Sequence, residues 1–234
     1  MELKAGCCGF AVSQQQYFRL FKAVEIQQTF YKLPRLETAE KWRAAAPAGF
    51  EFAVKAWQLI THEASSPTYR RLGRKIAPAV AGRYGGFRAT REVREAWEQT
   101  AAFARALGAK LMVFQSPASF TPAEENVAAM YAFFWRIDRK GFRFIWEPCG
   151  AWPEETVRKL CRELDLVHCV DPFKREPLHG EFQYFRLHGI TGSGYKFTDQ
   201  NLRKLAGWAR RKSSYVMFNN KSMKEDAQRF LKML

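Results

Sequence analysis

The chain has 234 residues and carries 38 lysines and arginines against 23 acidic residues, a formal net charge of +15. No run approaches the roughly 18 apolar residues of a membrane span, and the N-terminus enters a strand-like segment without signal-peptide blocks, so a cytoplasmic protein with no membrane partner is expected. The five cysteines form no C-x-x-C pair, which excludes a zinc ribbon or thioredoxin-like motif, and an odd count speaks against a secreted disulfide framework.

Leu3 to Cys8 reads as a short buried strand, and Ser13-Gln14-Gln15-Gln16 has the form of a capping box that opens a short helix. Ala23 to Gln27 is a second strand, running into the aromatic turn Thr29-Phe30-Tyr31 and stopping at Pro34. A helix over 36–46 is closed by Pro47 and Gly49, and Phe50 to Ala56 is the third strand. Residues 57–89 lack regular periodicity and include a Gly82-Arg83-Tyr84-Gly85-Gly86 cluster, so a long lid-like loop is expected. Helix 90–107 ends at Gly108.

Lys110 to Gln115 is the fourth strand. Thr121-Pro122-Ala123-Glu124 places a proline at the first position of a helix expected to run to about Lys140. Phe142 to Glu147 is the fifth strand, Pro153 to Leu164 a helix, and Leu166 to Asp171 the sixth strand, followed by a connection with little helical pattern. Phe182 to His188 is the seventh strand, 198–211 a helix and Ser214 to Asn220 the eighth strand. Ser222-Met223-Lys224-Glu225 then has the form of a capping box that opens the last helix. Eight strands alternating with about seven helices, with no linker dividing them, imply one (β/α)8 barrel domain over 1–234, irregular around strand six. An open doubly wound sheet would want a glycine-rich phosphate turn after its first strand, and Gly6-Cys7-Cys8-Gly9 is not one.

Side chains of a strand alternate sides, and in a barrel the outward set meets the helices and is apolar. Val24 and Ile26, Phe52 and Val54, Phe144 and Trp146, and Phe185 and Leu187 therefore point out. Glu25, Lys55, Glu147, Arg186 and His188 then point in, as do Gln115 and Asp171. All lie near the C-terminal ends of their strands, where barrel enzymes keep their sites, and Asn219 and Asn220 join them from the eighth strand.

These residues fall in motifs. Val24-Glu25-Ile26-Gln27-Gln28-Thr29-Phe30-Tyr31-Lys32-Leu33-Pro34, Phe52-Ala53-Val54-Lys55-Ala56 with Ile60-Thr61-His62-Glu63, and Phe114-Gln115-Ser116-Pro117 come first in order. Glu147-Pro148 with Ala151-Trp152, Tyr184-Phe185-Arg186-Leu187-His188-Gly189 and Phe218-Asn219-Asn220 follow. Together they resemble the YecE-like family, also termed domain of unknown function 72. The resemblance spans nearly the whole chain and implies a (β/α)8-type barrel, but it implies little about activity. The sequence departs from the family pattern at Cys7-Cys8 in the first strand, at Pro148-Cys149 and at Lys221.

The expected chemistry is acid–base work on a phosphorylated or nucleotide-like anionic substrate at the C-terminal mouth. Glu25 or Glu147 would be the base, Lys55 and Arg186 anion clamps, and His188 the acid or an orienter. The loop Gly192-Ser193-Gly194 after the seventh strand stands where many barrels bind phosphate through backbone amides. A divalent metal on Glu25, Glu147, Asp171 and His188 is the weaker expectation, since the chain has only four histidines. The rival reading is a nucleic-acid-binding barrel without turnover, gripping through Arg70, Arg71, Arg74 and Lys75 within a basic, aromatic segment spanning 70–94.

Overall fold

The computed structural model describes residues 1–139 and 141–234. Eight parallel strands close into a barrel in sequence order. They are β1 (Leu3–Cys8), β2 (Ala23–Ile26), β3 (Glu51–Lys55), β4 (Leu111–Ser116), β5 (Arg143–Pro148), β6 (Leu166–Val170), β7 (Gln183–Leu187) and β8 (Ser214–Phe218). Closure is made by β1 against β8, with Leu3 opposite Ser214 and Cys7 opposite Phe218.

The longer helices outside are α1 (Gln14–Leu20), α3 (Leu36–Ala45), α6 (Arg91–Ala106), α7 (Glu124–Arg136), α8 (Glu154–Glu163), α9 (Asp199–Ala209) and α10 (Met223–Leu231), with the one-turn α2 (Gln28–Tyr31), α4 (Gln58–Thr61) and α5 (Pro78–Ala81) between. No helix intervenes between β6 and β7, the irregularity expected there. Among the described residues no helix is long and apolar enough to cross a membrane.

The alternation read from the sequence decides the packing. Outward residues of the strands, among them Val24, Val54, Phe114, Phe144, Phe185 and Val216, join the helix faces in one continuous core. Each large apolar side chain buried there contributes about 1.5–3 kcal/mol. Inward residues form a separate cluster of Cys8, Ala23, Ala53, Leu111, Val113, Ile145, Val167, Cys169, Tyr184 and Met217. Small residues on β2 and β3 leave room for Tyr184, which stacks on Tyr215 with ring centroids 5.8 Å apart. The N-terminal mouth is closed by Lys4, which pairs with Glu51, while the Tyr215 hydroxyl donates to Glu51 at 2.6 Å.

Several local expectations are corrected. Ser13 and Ser222 precede their helices but make no side-chain capping bond, and α7 starts at Glu124 rather than Pro122. The reciprocal capping box is found instead at Thr198 and Asn201, where α9 begins. The expected end of the α7 helix at Lys140 lies outside the described residues, and the helix stops at Arg136.

Residues 57–89 are not an irregular loop throughout. Besides α4 and α5 they hold a 3-10 turn over Pro67–Arg71. The two ends are laced together: Gly85 N–H donates to Leu59 O at 2.9 Å and Phe87 N–H to Ile60 O at 2.9 Å. Gly85 has φ +74°, and a Cβ there would lie 2.2 Å from His62 O, so only glycine allows this approach. Phe87, itself at φ 53°, is held by burial of its ring among Phe114, Phe120, Phe133 and Phe134.

One buried hydroxyl joins the first two strands from outside. The Tyr17 hydroxyl accepts from Cys7 N–H at 2.7 Å and donates to Ala23 O at 3.0 Å. Tyr17→Phe strands both backbone groups and is expected to destabilise the fold by about 1–3 kcal/mol, read as a lowered urea midpoint with unchanged slope.

Candidate active site

The centre of the C-terminal half of the barrel is Arg186, on the inner face of β7 and fully buried. Its guanidinium lies between two carboxylates. Nε donates to Glu25 Oε2 at 3.1 Å and Nη2 pairs with Glu25 Oε1 at 3.1 Å. Nη1 bonds Glu147 Oε2. Glu25, fully buried on β2, also accepts from the Tyr184 hydroxyl at 2.9 Å and from Gln27. Burial alone would lower the affinity of Arg186 for its proton, but Glu147 and Glu25 hold it well above its ordinary range. Burial alone would likewise push the Glu147 carboxyl up, yet Arg186, His188 and Lys55 hold it well below the usual carboxylate range.

Above this pair sits the part that meets solvent. Glu147 Oε1 lies 3.0 Å from His188 Nε2, and His188 Nδ1 lies 3.2 Å from Asn219 Nδ2. An amide donating to Nδ1 selects the imidazole tautomer with its hydrogen on Nε2, facing the carboxylate. Gln115 bridges Glu147 to Lys55: its Nε2 donates to Glu147 Oε2 at 2.7 Å, and its Oε1 accepts from Lys55 Nζ at 2.7 Å. Lys55 Nζ also stands 3.9 Å over the Phe30 ring. That ring is placed by α2, where the Thr29 hydroxyl reaches Lys55 O at 2.7 Å and Gln58 Nε2 donates to Tyr31 O at 2.9 Å. Lys55 is only 4% exposed, and among the described residues no carboxylate lies within ion-pair distance of it. Burial first, and the charge of Arg186 second, push its amine down to about 8. His62, edge-on to Phe30 with ring centroids 4.8 Å apart, is pushed down to about 4 by burial and by Lys55.

A cavity of about 380 Å³ opens on this group, lined by Gln115, Glu147, Cys149, Asp171, Lys174, Arg175 and His188 among others. It has the size of a small-ligand site. Asp171 shapes its wall: its carboxylate accepts from Phe173 N–H at 3.1 Å and from His188 N–H at 3.3 Å, and its main-chain oxygen accepts from Lys174 N–H at 2.9 Å. Burial raises the Asp171 carboxyl despite those two amides. A cleft of about 400 Å³ also lies outside the barrel between α6 and α7, lined by Arg91, Arg94, Arg105 and Arg136 among others, and touches none of the inward-facing residues.

The structure thus gathers Glu25, Lys55, Gln115, Glu147, Arg186, His188 and Asn219 into one cup, but it sorts them by depth. Glu25 and Arg186 are sealed beneath the cavity with their polar atoms engaged, which corrects the expectation that they face a ligand. Asn220 is corrected as well. It is buried behind the strand end, where its Nδ2 donates to Asp226 Oδ2 at 2.7 Å and Tyr195 O at 2.8 Å. Gly192, Ser193 and Gly194 are exposed in a turn whose amides at Ser193 and Gly194 bond no protein group among the described residues.

Arg70, Arg71, Arg74 and Lys75 are exposed. Arg71 stacks 3.4 Å over Tyr31, and Arg74 lies 5.7 Å from the Trp57 ring. Among the described residues no group of three histidine, cysteine or acidic side chains is arranged to hold a metal ion. Sequence reasoning missed Tyr184, Phe30, His62, Lys174 and Arg175. Tyr184 was legible, being two residues before Arg186 on the same face, whereas the others sit on turns that alternation does not orient.

A closed parallel barrel with a charged cup at its C-terminal mouth defines a TIM-barrel-like α/β protein. The chain belongs to the family described as protein of unknown function DUF72, whose model matches residues 13–234. A DUF72 family protein from Enterococcus faecalis is 19% identical over 99% of this chain and 96% of its own, with a TM-score of 0.73. One from Thermotoga maritima is 18% identical over 100% and 99%, with a TM-score of 0.66. A xylose isomerase domain containing protein from Salmonella typhimurium is 13% identical over 95% and 91%, with a TM-score of 0.58, a likeness of fold. No curated protein matches.

Two outcomes follow from the electrostatics. Arg186→Met leaves two glutamates buried without their cation and is expected to cost about 3–5 kcal/mol at neutral pH, measured by urea unfolding. Because Arg186 depresses Glu147, the wild type loses stability as pH falls below the ordinary glutamate range, and the variant loses less over the same interval. Lys55 carries the opposite sign. Its folded amine releases its proton near 8, while the unfolded chain keeps it to about 10.5. Between those values the unfolded state binds the additional proton, so the wild type gains stability as pH rises. Lys55→Met should remove that rise, seen in unfolding midpoints across the same window.

Proposed function

We propose that this protein is an enzyme that performs acid–base chemistry on a phosphorylated or nucleotide-like anionic substrate in the C-terminal mouth of its barrel. The observation that carries this reading is the hydrogen-bonded run Lys55–Gln115–Glu147–His188, which passes from a buried amine to a half-buried imidazole at the wall of one cavity. Evenly paired filler would leave no cation over. Here Arg186 takes both glutamates, and among the described residues Lys55 keeps an amide oxygen and an aromatic face.

In this reading His188 moves the proton. Its Nδ1 takes a proton once substrate displaces Asn219, and Glu147 stabilises the imidazolium through Nε2. Lys174 and Arg175, exposed at the cavity rim, attract the substrate's negative group. Gln115 and Asp171 orient the wall, with Asp171 acting through the main chain of His188. Glu25 and Arg186 hold Glu147 in place.

The second reading, a nucleic-acid-binding barrel without turnover, is favoured by Arg71 on Tyr31 and Arg74 near Trp57, cations stacked on aromatics beside the strand ends.

A thermal-shift screen of phosphorylated sugars, nucleotides and single-stranded oligonucleotides separates the two. The enzyme reading expects a Tm increase with a small phosphorylated compound, lost in the Lys174→Glu, Arg175→Glu double variant and kept when Arg70, Arg71 and Arg74 are neutralised. A shift confined to oligonucleotides, steeply salt-dependent and lost with those three arginines, would replace it with the binding reading.

A further inference from the structure

Lys55 differs from the lysines that usually bind anions. Such a lysine is a hydrated point charge on a flexible stem. Lys55 is buried on the inner face of β3, its amine held at 2.7 Å by Gln115 Oε1 and at 3.9 Å over Phe30. Arg186, which could have shared a carboxylate with it, holds both glutamates itself. A desolvated lysine beside another cation is the arrangement that leaves an amine neutral enough to attack carbon. Lys55 does not itself line the cavity; Gln115, which does and which touches Glu147, stands between them, so a substrate carbonyl reaches the amine by displacing that amide.

Resting on the reading of the mouth as an anion-handling active site, we infer that Lys55 is a covalent catalytic residue that forms an imine with an aldehyde or ketone carbon of the substrate. The step draws on groups of the cup itself. The Nζ lone pair forms the N–C bond while the carbonyl π electrons move to oxygen. Both amine protons pass by way of His188 to that oxygen, the first giving the carbinolamine hydroxyl and the second letting it depart as water. The C–O bond then breaks, water leaves, and the nitrogen lone pair completes the C=N bond. No oxidant or reductant takes part. The burial and the Arg186 charge that push the amine down to about 8 keep a useful fraction neutral near physiological pH.

The test is reductive trapping on the full chain. The protein is mixed separately with pyruvate, glyoxylate, dihydroxyacetone phosphate and ribose 5-phosphate, reduced with sodium borohydride, and mapped by peptide mass. One probe is expected to label Lys55 at least about tenfold above any other lysine, the ratio that a pKa lowered by one unit gives in neutral amine. Lys55→Arg, which keeps the charge, should lose that adduct. Gln115→Glu places a carboxylate beside the amine and should move half-maximal labelling to higher pH, a readout that mere packing would not shift. Adducts spread evenly over surface lysines in the wild type, whichever probe is used, would overturn the inference even if Lys55→Arg failed to fold. If phosphorylated compounds still raise Tm while no adduct forms at Lys55, the imine is refuted and the anion-site reading stands. If neither occurs, both fall.

Discussion

A guanidinium buried between two carboxylates is the constraint on which the upper half of this barrel depends. Taking three charges out of water is costly, and the cost is met only when every lone pair and proton finds a partner. Arg186 meets that condition: its three nitrogens engage Glu25 and Glu147, and Glu25 has Tyr184 besides. Once that unit is set, the remaining roles follow by subtraction. Glu147 keeps one oxygen for His188. Among the described residues Lys55 is left without a paired carboxylate and is held by Gln115 and Phe30.

The two ends of the barrel show the same chemistry put to different ends. At the N-terminal mouth Lys4, Glu51 and Tyr215 neutralise one another and plug the opening. At the C-terminal mouth the pairing is incomplete, and a cavity of about 380 Å³ remains over it. Parallel strands always deliver their C-terminal ends to loops that can vary, so incomplete pairing at that end is where binding and catalysis can be built. The missing helix between β6 and β7 adds to this asymmetry. Asp171 folds the connection into a turn that brings Lys174 and Arg175 to the rim.

The basic segment after β3 is tied to the same mouth. Its ends are fastened to each other by main-chain bonds around Gly85 and by the buried Phe87 ring. Its arginines lie against Tyr31 and Trp57, and the main-chain oxygen of Tyr31 is itself held by Gln58. A segment that is irregular in sequence is thus rigidly based in space, because its fastening is made by backbone groups that leave no periodic trace.

What the sequence determined by itself is the barrel and the inward row. Period-2 alternation of apolar and polar residues sets which side chains face the helices, and one residue of slip would have turned Glu25, Lys55 and Arg186 outward. That argument holds only while the strand lasts. It failed two residues past β8, where Asn220 turns to Asp226, and it could not place Phe30 or His62, which stand on turns. The helices do begin after Ser13 and Ser222, but the expected capping bonds are missing, because a capping box needs the side chain to find its amide, not merely the right spacing. Only the tertiary structure decided which charges pair. Six ionisable groups pointing into one cup can be matched in several ways, and the choice rests on distances across the barrel between strands far apart in the chain. Those distances gave both glutamates to Arg186 and left the Lys55 amine over.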